Sequence, residues 1–231
     1  MYLTNAQIRT KARRLLDDNI FGKDWLKSAL ISTLMLLILI AISGSLIVLS
    51  NKFIDPFLSS VITDPSILIA TQILLRLADL LFLFIPIGPI MVALAAVHME
   101  LVRGAGYISI KRFFAKFTGL FDNFQIGFMY ALNVVLWSLL LIFPGIYVAY
   151  SYSMAFYVRN DHPEYTWREC FDESERIMEG NRLRLFKLHC NFIGWFLLGA
   201  LFAGIGLLWV FPYASVSTAI FYEEAKFSKE R

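Results

Sequence analysis

Long apolar runs alternate with short polar stretches along most of this chain, and two further segments show helical apolar/polar periodicity. The apolar runs occupy residues 26–49, 66–103, 122–143, 145–158, 183–203 and 205–222. A helix crosses about 30 Å of hydrocarbon with roughly 20 apolar residues. The pattern therefore predicts an all-α protein, a polytopic transmembrane helical bundle of about six spans in a single membrane domain covering residues 1–231.

The two periodic segments flank the runs differently. Residues 1–25 read as a basic amphipathic N-terminal helix. Ile8, Ala12, Leu15 and Leu16 share one face, with Arg9, Arg13 and Arg14 off it, and Thr4 with Gln7 has capping-box spacing. Such a helix before a span is expected to lie on an anionic leaflet, or else to be a solvated leader that only sets topology. Residues 164–180 read as an amphipathic cytoplasmic helix. His162-Pro163 stops the helix before it, Thr166 and Glu169 form a second capping box, and Gly180 suits the position past its end. Trp167, Phe171, Ile177 and Met178, with Cys170 and Ser174, form its apolar face. Glu164, Glu169, Asp172, Glu173, Glu175 and Glu179 outnumber Arg168 and Arg176, so an anionic leaflet repels it. Its apolar face is expected to pack on the protein's own spans or on a partner.

Turn signals divide the runs. Asp55-Pro56 and Asp64-Pro65 predict an outside loop over residues 51–65, and Pro144-Gly145 a tight turn between two spans. Residues 66–103 are too long for one straight crossing. A long helix kinked at Pro86 and Pro89, a re-entrant pair of half-helices and two full spans all fit. Charge decides between one crossing and two. With one crossing and both termini inside, all 21 Lys and Arg except Lys52 and Arg76 lie in cytoplasmic segments or at their edges, as the positive-inside rule requires. The expected location is thus the cell membrane, multi-pass, with both termini cytoplasmic.

Composition agrees with a bilayer: 58% of residues are hydrophobic and 17% charged, against about 45–50% and about 25% in soluble domains. The net charge of +3 gives no nucleic-acid patch. The two cysteines, Cys170 and Cys190, read as free buried thiols. No signal peptide is visible, since the first apolar run is too long and lacks a cleavage site.

Candidate chemistry is sparse. Arg76 and Asp79 stand three apart on one helical face inside apolar sequence. They are either an ion pair at the outer interface or part of an intramembrane polar site with Asn133 from another span. Trp167, Phe171, Ile177 and Met178 are the candidate packing or partner face. The run Tyr147, Tyr150, Tyr152, Phe156 and Tyr157 suits an interface belt or a cavity wall, and Glu223-Glu224 a solvated helix end. His98, His189 and Cys190 lack zinc-site spacing, and no Walker loop or nucleophile elbow is present. The reading is therefore no enzyme, no metal and no cofactor. The partners expected are the lipid bilayer and a cytoplasmic protein or second copy, with no nucleic acid.

The strings SLLLIFPGIYVAYSYSMAFYV and RIMEGNRLRLFKLHCNFIGWFLLGALFAGIGLLWVFPY, followed by AIFYEE, resemble the bacterial integral-membrane family called domain of unknown function 975. Pro144-Gly145, Gly180, Arg184-Leu185-Phe186, Gly194-Trp195 and Pro212-Tyr213 carry the resemblance. A weaker likeness extends to the membrane region of some glycerophosphodiester phosphodiesterases. The family implies a membrane protein without lending catalytic residues. Two functions fit: a non-enzymatic membrane scaffold or partner/lipid-binding protein, and a small transporter or permeation module with a site between kinked helices.

Overall fold

The computed structural model describes residues 3–17, 22–82, 86–104, 108, 110–115, 119–201, 204 and 206–229. Two of the Lys and Arg assigned to the cytoplasmic side, Lys116 and Arg231, and the run ends at 203 and 205 lie outside the described residues. Among the described residues all regular structure is helical. In chain order the elements are α1 (Asn5–Leu15), α2 (Lys23–Leu49), α3 (Asp55–Val61), α4 (Pro65–Phe82), α5 (Ile87–Val102) and α6 (Ile110–Ala115). They continue with α7 (Leu120–Leu140), α8 (Ile142–Ser151), α9 (Ala155–Asp161), α10 (Trp167–Met178), α11 (Arg182–Leu201) and α12 (Leu207–Lys229).

Residues 51–65 are not the loop that their prolines predict. A π-helical turn, Ser50–Ile54, joins α2 to α3, so that Lys23–Val61 runs as one 39-residue helix. The reason lies at Pro56. Its ring would meet a carbonyl of a regular α-helix, and it has no N–H to donate. The wider turn, with the Asp55 N–H on Ser50 O, places Pro56 in the first turn of α3, where its missing N–H costs nothing. The reversal comes later, at residues 62–64, where the Asp64 carboxylate accepts from the N–H groups of Ser66 and Ile67 at 2.8 and 3.2 Å.

The long run 66–103 is two helices, α4 and α5, with Pro86 as the N-cap of α5. Their surroundings differ. Contacts place α4 against α2 and α3 alone among the helix pairs that pack extensively, whereas α5 packs on α6, α7, α9 and α12. Nearly all of α5 is buried, from Gly88 through Met99, apart from Met91. Its small residues allow close approach. A Cβ on Gly88 would stand 2.1 Å from Asn123 O, and one on Gly127 2.2 Å from Gly88 Cα. The α5–α7 crossing is therefore backbone on backbone.

The turn between α7 and α8 falls at Leu141, which is extended (φ −158°, ψ 145°), and not at Pro144-Gly145. Pro144 sits in the first turn of α8, where it breaks no ladder bond. Gly145 serves packing: a Cβ there would lie 2.0 Å from Ser138 Oγ. Gly199 and Gly206 repeat the device between α11 and α12, where a Cβ on Gly206 would stand 2.6 Å from Gly199 Cα. Gly204 turns the chain with φ +78°. The run 145–158 is also broken, between Ser151 and Ala155.

Among the described residues two helices are long and apolar enough to cross a membrane, Lys23–Val61 and Leu120–Leu140. Only 12% and 17% of their apolar windows are buried inside the fold, so neither is the core helix of a soluble protein. The α7–α8 turn is wholly apolar and open, with Leu139, Leu140, Leu141, Ile142 and Phe143 all exposed. Contiguous apolar surface of this kind marks a membrane or protein contact.

Candidate functional site

Arg76 and Asp79 share a polar knot with residues of the α2–α3 junction. The Arg76 guanidinium pairs with Asp55 and with Asp79 (3.1 Å) and donates to Asn51 Oδ1 at 2.7 Å. Ser50 Oγ donates to the Asp79 carboxylate at 2.9 Å. The π-helical turn directs Ser50, Asn51 and Asp55 toward α4. Sequence spacing identifies the Arg76–Asp79 pair but not Asp55, which reads there as a turn former. Asn133 is not part of the knot: its amide donates to Met129 O one turn back in α7. Arg76→Ala leaves two carboxylates facing each other and is expected to cost about 1–2 kcal/mol, read as a lowered melting temperature.

A second polar cluster ties α5, α9 and α12 together. Arg103 meets Asp161 at 2.7 Å and Glu223 at 2.6 Å, while Lys226 and the Tyr222 hydroxyl reach Asp161 at 2.8 Å. Burial alone would raise the Asp161 pKa. Hydrogen bonds from Lys226, Arg103 and Tyr222 outweigh it and hold the carboxyl below its ordinary value. Next to it, Arg184 binds Glu224 (3.0 Å), Asn181 (2.8 Å) and Leu3 O (3.3 Å). Glu223-Glu224 is thus no solvated end. Each carboxylate anchors an arginine from a distant helix, a pairing invisible without the tertiary fold.

Helix α10 begins with the capping box of Thr166 and Glu169 and ends before Gly180 at φ +76°. Its apolar face is covered by the protein itself: Phe171, Ile177 and Met178 are buried, and Trp167 is half-buried. Phe171 stacks on Tyr152 with ring centroids 4.5 Å apart, and Trp167 meets Phe171 edge-on. Burial pushes the Cys170 thiol up to about 12, so it is an inert core residue, whereas Cys190 is exposed.

Ser174 explains the break between α8 and α9. Its Oγ donates to Ser151 O (2.8 Å) and accepts from the Met154 N–H (3.1 Å), so one hydroxyl serves both backbone groups at the break. Arg182 reinforces it, with Nε on Ser151 Oγ at 2.7 Å and its guanidinium over the Tyr147 ring. Ser174→Ala leaves both groups without that partner and is expected to destabilise by about 2 kcal/mol, measured by thermal unfolding in detergent. The aromatic run is split between core and surface. Tyr157 stacks on Tyr222 and Phe156 meets Tyr130, while Tyr147 is exposed.

His98 is fully buried, with Nε2 2.8 Å from Ser28 Oγ, and links α5 to α2. With no exposed atom, this Ser–His pair offers a substrate no access. Among the described residues no group of three or more His, Cys, Asp or Glu is placed to hold a metal.

Helix α1 does not rest its apolar stripe on a leaflet. Ile8, Ala12 and Leu16 are fully covered, and α1 packs chiefly on α12, with Leu3 N–H on Glu224 at 2.5 Å. The stripe fits a protein groove as well as it fits lipid, so periodicity alone does not distinguish them.

A family model described as a protein of unknown function (DUF975) matches residues 63–229, well over half of the chain. No curated protein and no solved structure matches it.

Proposed function

Because the chain belongs to DUF975, a family of unknown function, membership lends it no activity, and we propose that it is a non-enzymatic, multi-pass membrane scaffold that binds a partner or lipid. It spans the bacterial cell membrane six times with both termini in the cytoplasm. Helices α4 and α5 together make one crossing, and α8 with α9 another. The working surface is the cytoplasmic face formed by α1, the Asp161 end of α9, α10 and the end of α12.

The observation that carries this reading is the separation of apolar and ionic surface. The exposed large apolar side chains lie mainly on α2, α3, α4, α7, α8 and α11. Arg103, Asp161, Arg182, Arg184, Glu223, Glu224 and Lys226 instead cross-link the helix ends of the other face. At about 1.5 Å per residue, Ser50 lies about 35 Å along the helix from Lys27. That distance supports a place for the Arg76 knot at the outer boundary, where a charged pair is tolerated.

A transporter reading draws on one observation. Asp55, Gln72 and Arg76 line an open groove of about 580 Å³ together with Ile69, Ile73 and Leu77. Reconstitution into liposomes with a panel of ions, amino acids and sugars separates the two. The scaffold reading predicts no flux above empty liposomes. Flux that disappears in Asp79→Asn would replace it with transport.

A further inference from the structure

We propose that the protein binds a second copy of itself at the outer face of the membrane. The ridge of Phe53, Phe57 and Val61 in one copy seats in the groove that α4 forms with Asp55 in the next. The proposal rests on the membrane placement above, with α3 outside, and not on the scaffold role.

The hairpin of α3 and α4 has two apolar sides that the rest of the chain leaves open. Phe53, Phe57 and Val61 recur at intervals of four and are each more than half exposed. So are Ile69, Ile73 and Leu77, which recur at the same interval on α4 and line the groove of about 580 Å³ with Asp55. Among the helix pairs that pack extensively, α3 and α4 meet only each other, α2 and the π-helical turn. Beyond the hydrocarbon no acyl chain covers them, and apolar surface left to water marks a protein contact.

The two sides match in height. Arg76 bonds both Asn51 and Asp55, and Asp79 bonds Ser50, so α3 rises as α4 descends. At about 1.5 Å per residue from those bonds, Phe53 stands level with Leu77, Phe57 with Ile73 and Val61 with Ile69. Copies in one membrane share orientation and depth, so the ridge of one meets the groove of the next without a vertical shift. Phe57 lies roughly 200° round the helix from Asp55, which puts ridge and groove on different sides of the hairpin. The contact is therefore head-to-tail and passes from copy to copy, in a ring where its rotation closes. Ser59 and Ser60, exposed beside the ridge, stay at the solvent-reached rim.

Charge selects the same occupant. Arg76 holds one Asp55 oxygen, while the other, Oδ1, is buried without a hydrogen-bond partner among the described residues. Such an acceptor calls for a donor. Lys52, exposed beside Phe53, has no ion-pair partner among the described residues. Seating the ridge brings the Lys52 ammonium of one copy to the Asp55 carboxylate of the next.

The test uses the full chain in the Cys190→Ser background, which keeps only buried Cys170. Phe57→Cys and Ile73→Cys copies with different tags are co-expressed, and an impermeant bis-maleimide is added to intact cells. A cross-linked dimer carrying both tags is expected, with little product from either variant alone. In maltoside micelles, mass photometry is expected to find wild type above the monomer mass. Phe57→Ala removes an aromatic anchor and is expected to weaken association about thirtyfold. Lys52→Gln is expected to weaken it about fivefold, and Lys52→Arg to restore it. Phe227→Ala, an exposed aromatic at the other end of the molecule, should leave it unchanged. A wild type that stays monomeric at every concentration would overturn the proposal, as would Phe57→Cys linking to itself and not to Ile73→Cys. A mixed dimer formed only after permeabilisation keeps the contact and overturns the outer placement. No mixed dimer, with Ser60→Cys labelled in intact cells, overturns the contact and keeps the placement.

Discussion

Gly127→Leu is expected to leave no correctly assembled protein. A Cβ at Gly127 would stand 2.2 Å from Gly88 Cα and 2.4 Å from Gly88 N, and both are backbone atoms of α5. Overpacking a core costs about 1–3 kcal/mol when side chains make room. Here no side chain can move aside, so α5 and α7 must separate. Because α5 is the most buried helix and contacts α6, α7, α9 and α12, that separation propagates through the fold. Gly127→Ala should already lower stability by more than about 3 kcal/mol, and Gly88→Ala should do the same. Fluorescence-detected size exclusion after a temperature ramp reads both. A Gly44→Ala control, where a Cβ meets nothing within 4 Å, is expected to behave as wild type.

Asp161→Asn is expected to have the next largest effect. The Asp161 side chain is only 7% exposed, and it accepts from Arg103, Lys226 and Tyr222 at once. Neutralising it leaves Lys226 without its carboxylate and Arg103 with Glu223 alone. Breaking a buried pair on one side costs about 3–5 kcal/mol. Since the partners reach partly into solvent, the lower end of that range applies. The pH dependence has a definite sign. The folded carboxyl has a lowered pKa, so its contribution is fully present above the unfolded value, about 4, and disappears as the pH falls through the folded value. The stability gap between wild type and Asp161→Asn should therefore be constant from neutral pH to about pH 5 and should narrow below about pH 4. A gap that stays constant down to pH 3 would contradict the role given to Asp161.

The helical class and the local caps were legible in residue spacing. Thr4–Gln7 and Thr166–Glu169 both close as capping boxes, because a cap involves residues three apart and needs no tertiary information. Family membership was legible too, since it rests on strings and not on geometry. Proline was the misleading signal. Pro56 and Pro144 both suggest turns, yet each sits in the first helical turn, the place where a missing N–H does no harm. A single sequence does not say whether a proline ends one helix or starts the next.

The candidate sites divide along the same line. Arg76–Asp79 is an i,i+3 pair and could be found by counting, whereas Asp55 joins it only because the helix widens at Ser50–Ile54. Asn133 was selected for polarity within an apolar run, but a polar side chain in a helix has a local acceptor one turn back, and Asn133 uses it. The Arg103–Asp161–Glu223 cluster joins residues 120 positions apart at its widest, beyond any periodicity argument. The same holds for Glu224 and Leu3, 221 positions apart. For α10, amphipathic spacing located Phe171, Ile177 and Met178 correctly on one face. Only the packing of Tyr152 against Phe171 shows that α8 and α9 occupy that face.

The central claim is a six-span membrane protein whose ion-paired face and both termini lie in the cytoplasm, with α3 outside. Impermeant maleimide labelling of intact and permeabilised cells tests it most directly. The background is Cys190→Ser, which removes the exposed thiol and keeps buried Cys170. Ser60→Cys, on the exposed surface of α3, should label in intact cells. Phe227→Cys, exposed near the end of α12, should label only after permeabilisation. Labelling of Phe227→Cys in intact cells, or protection of Ser60→Cys until the membrane is opened, would contradict the account.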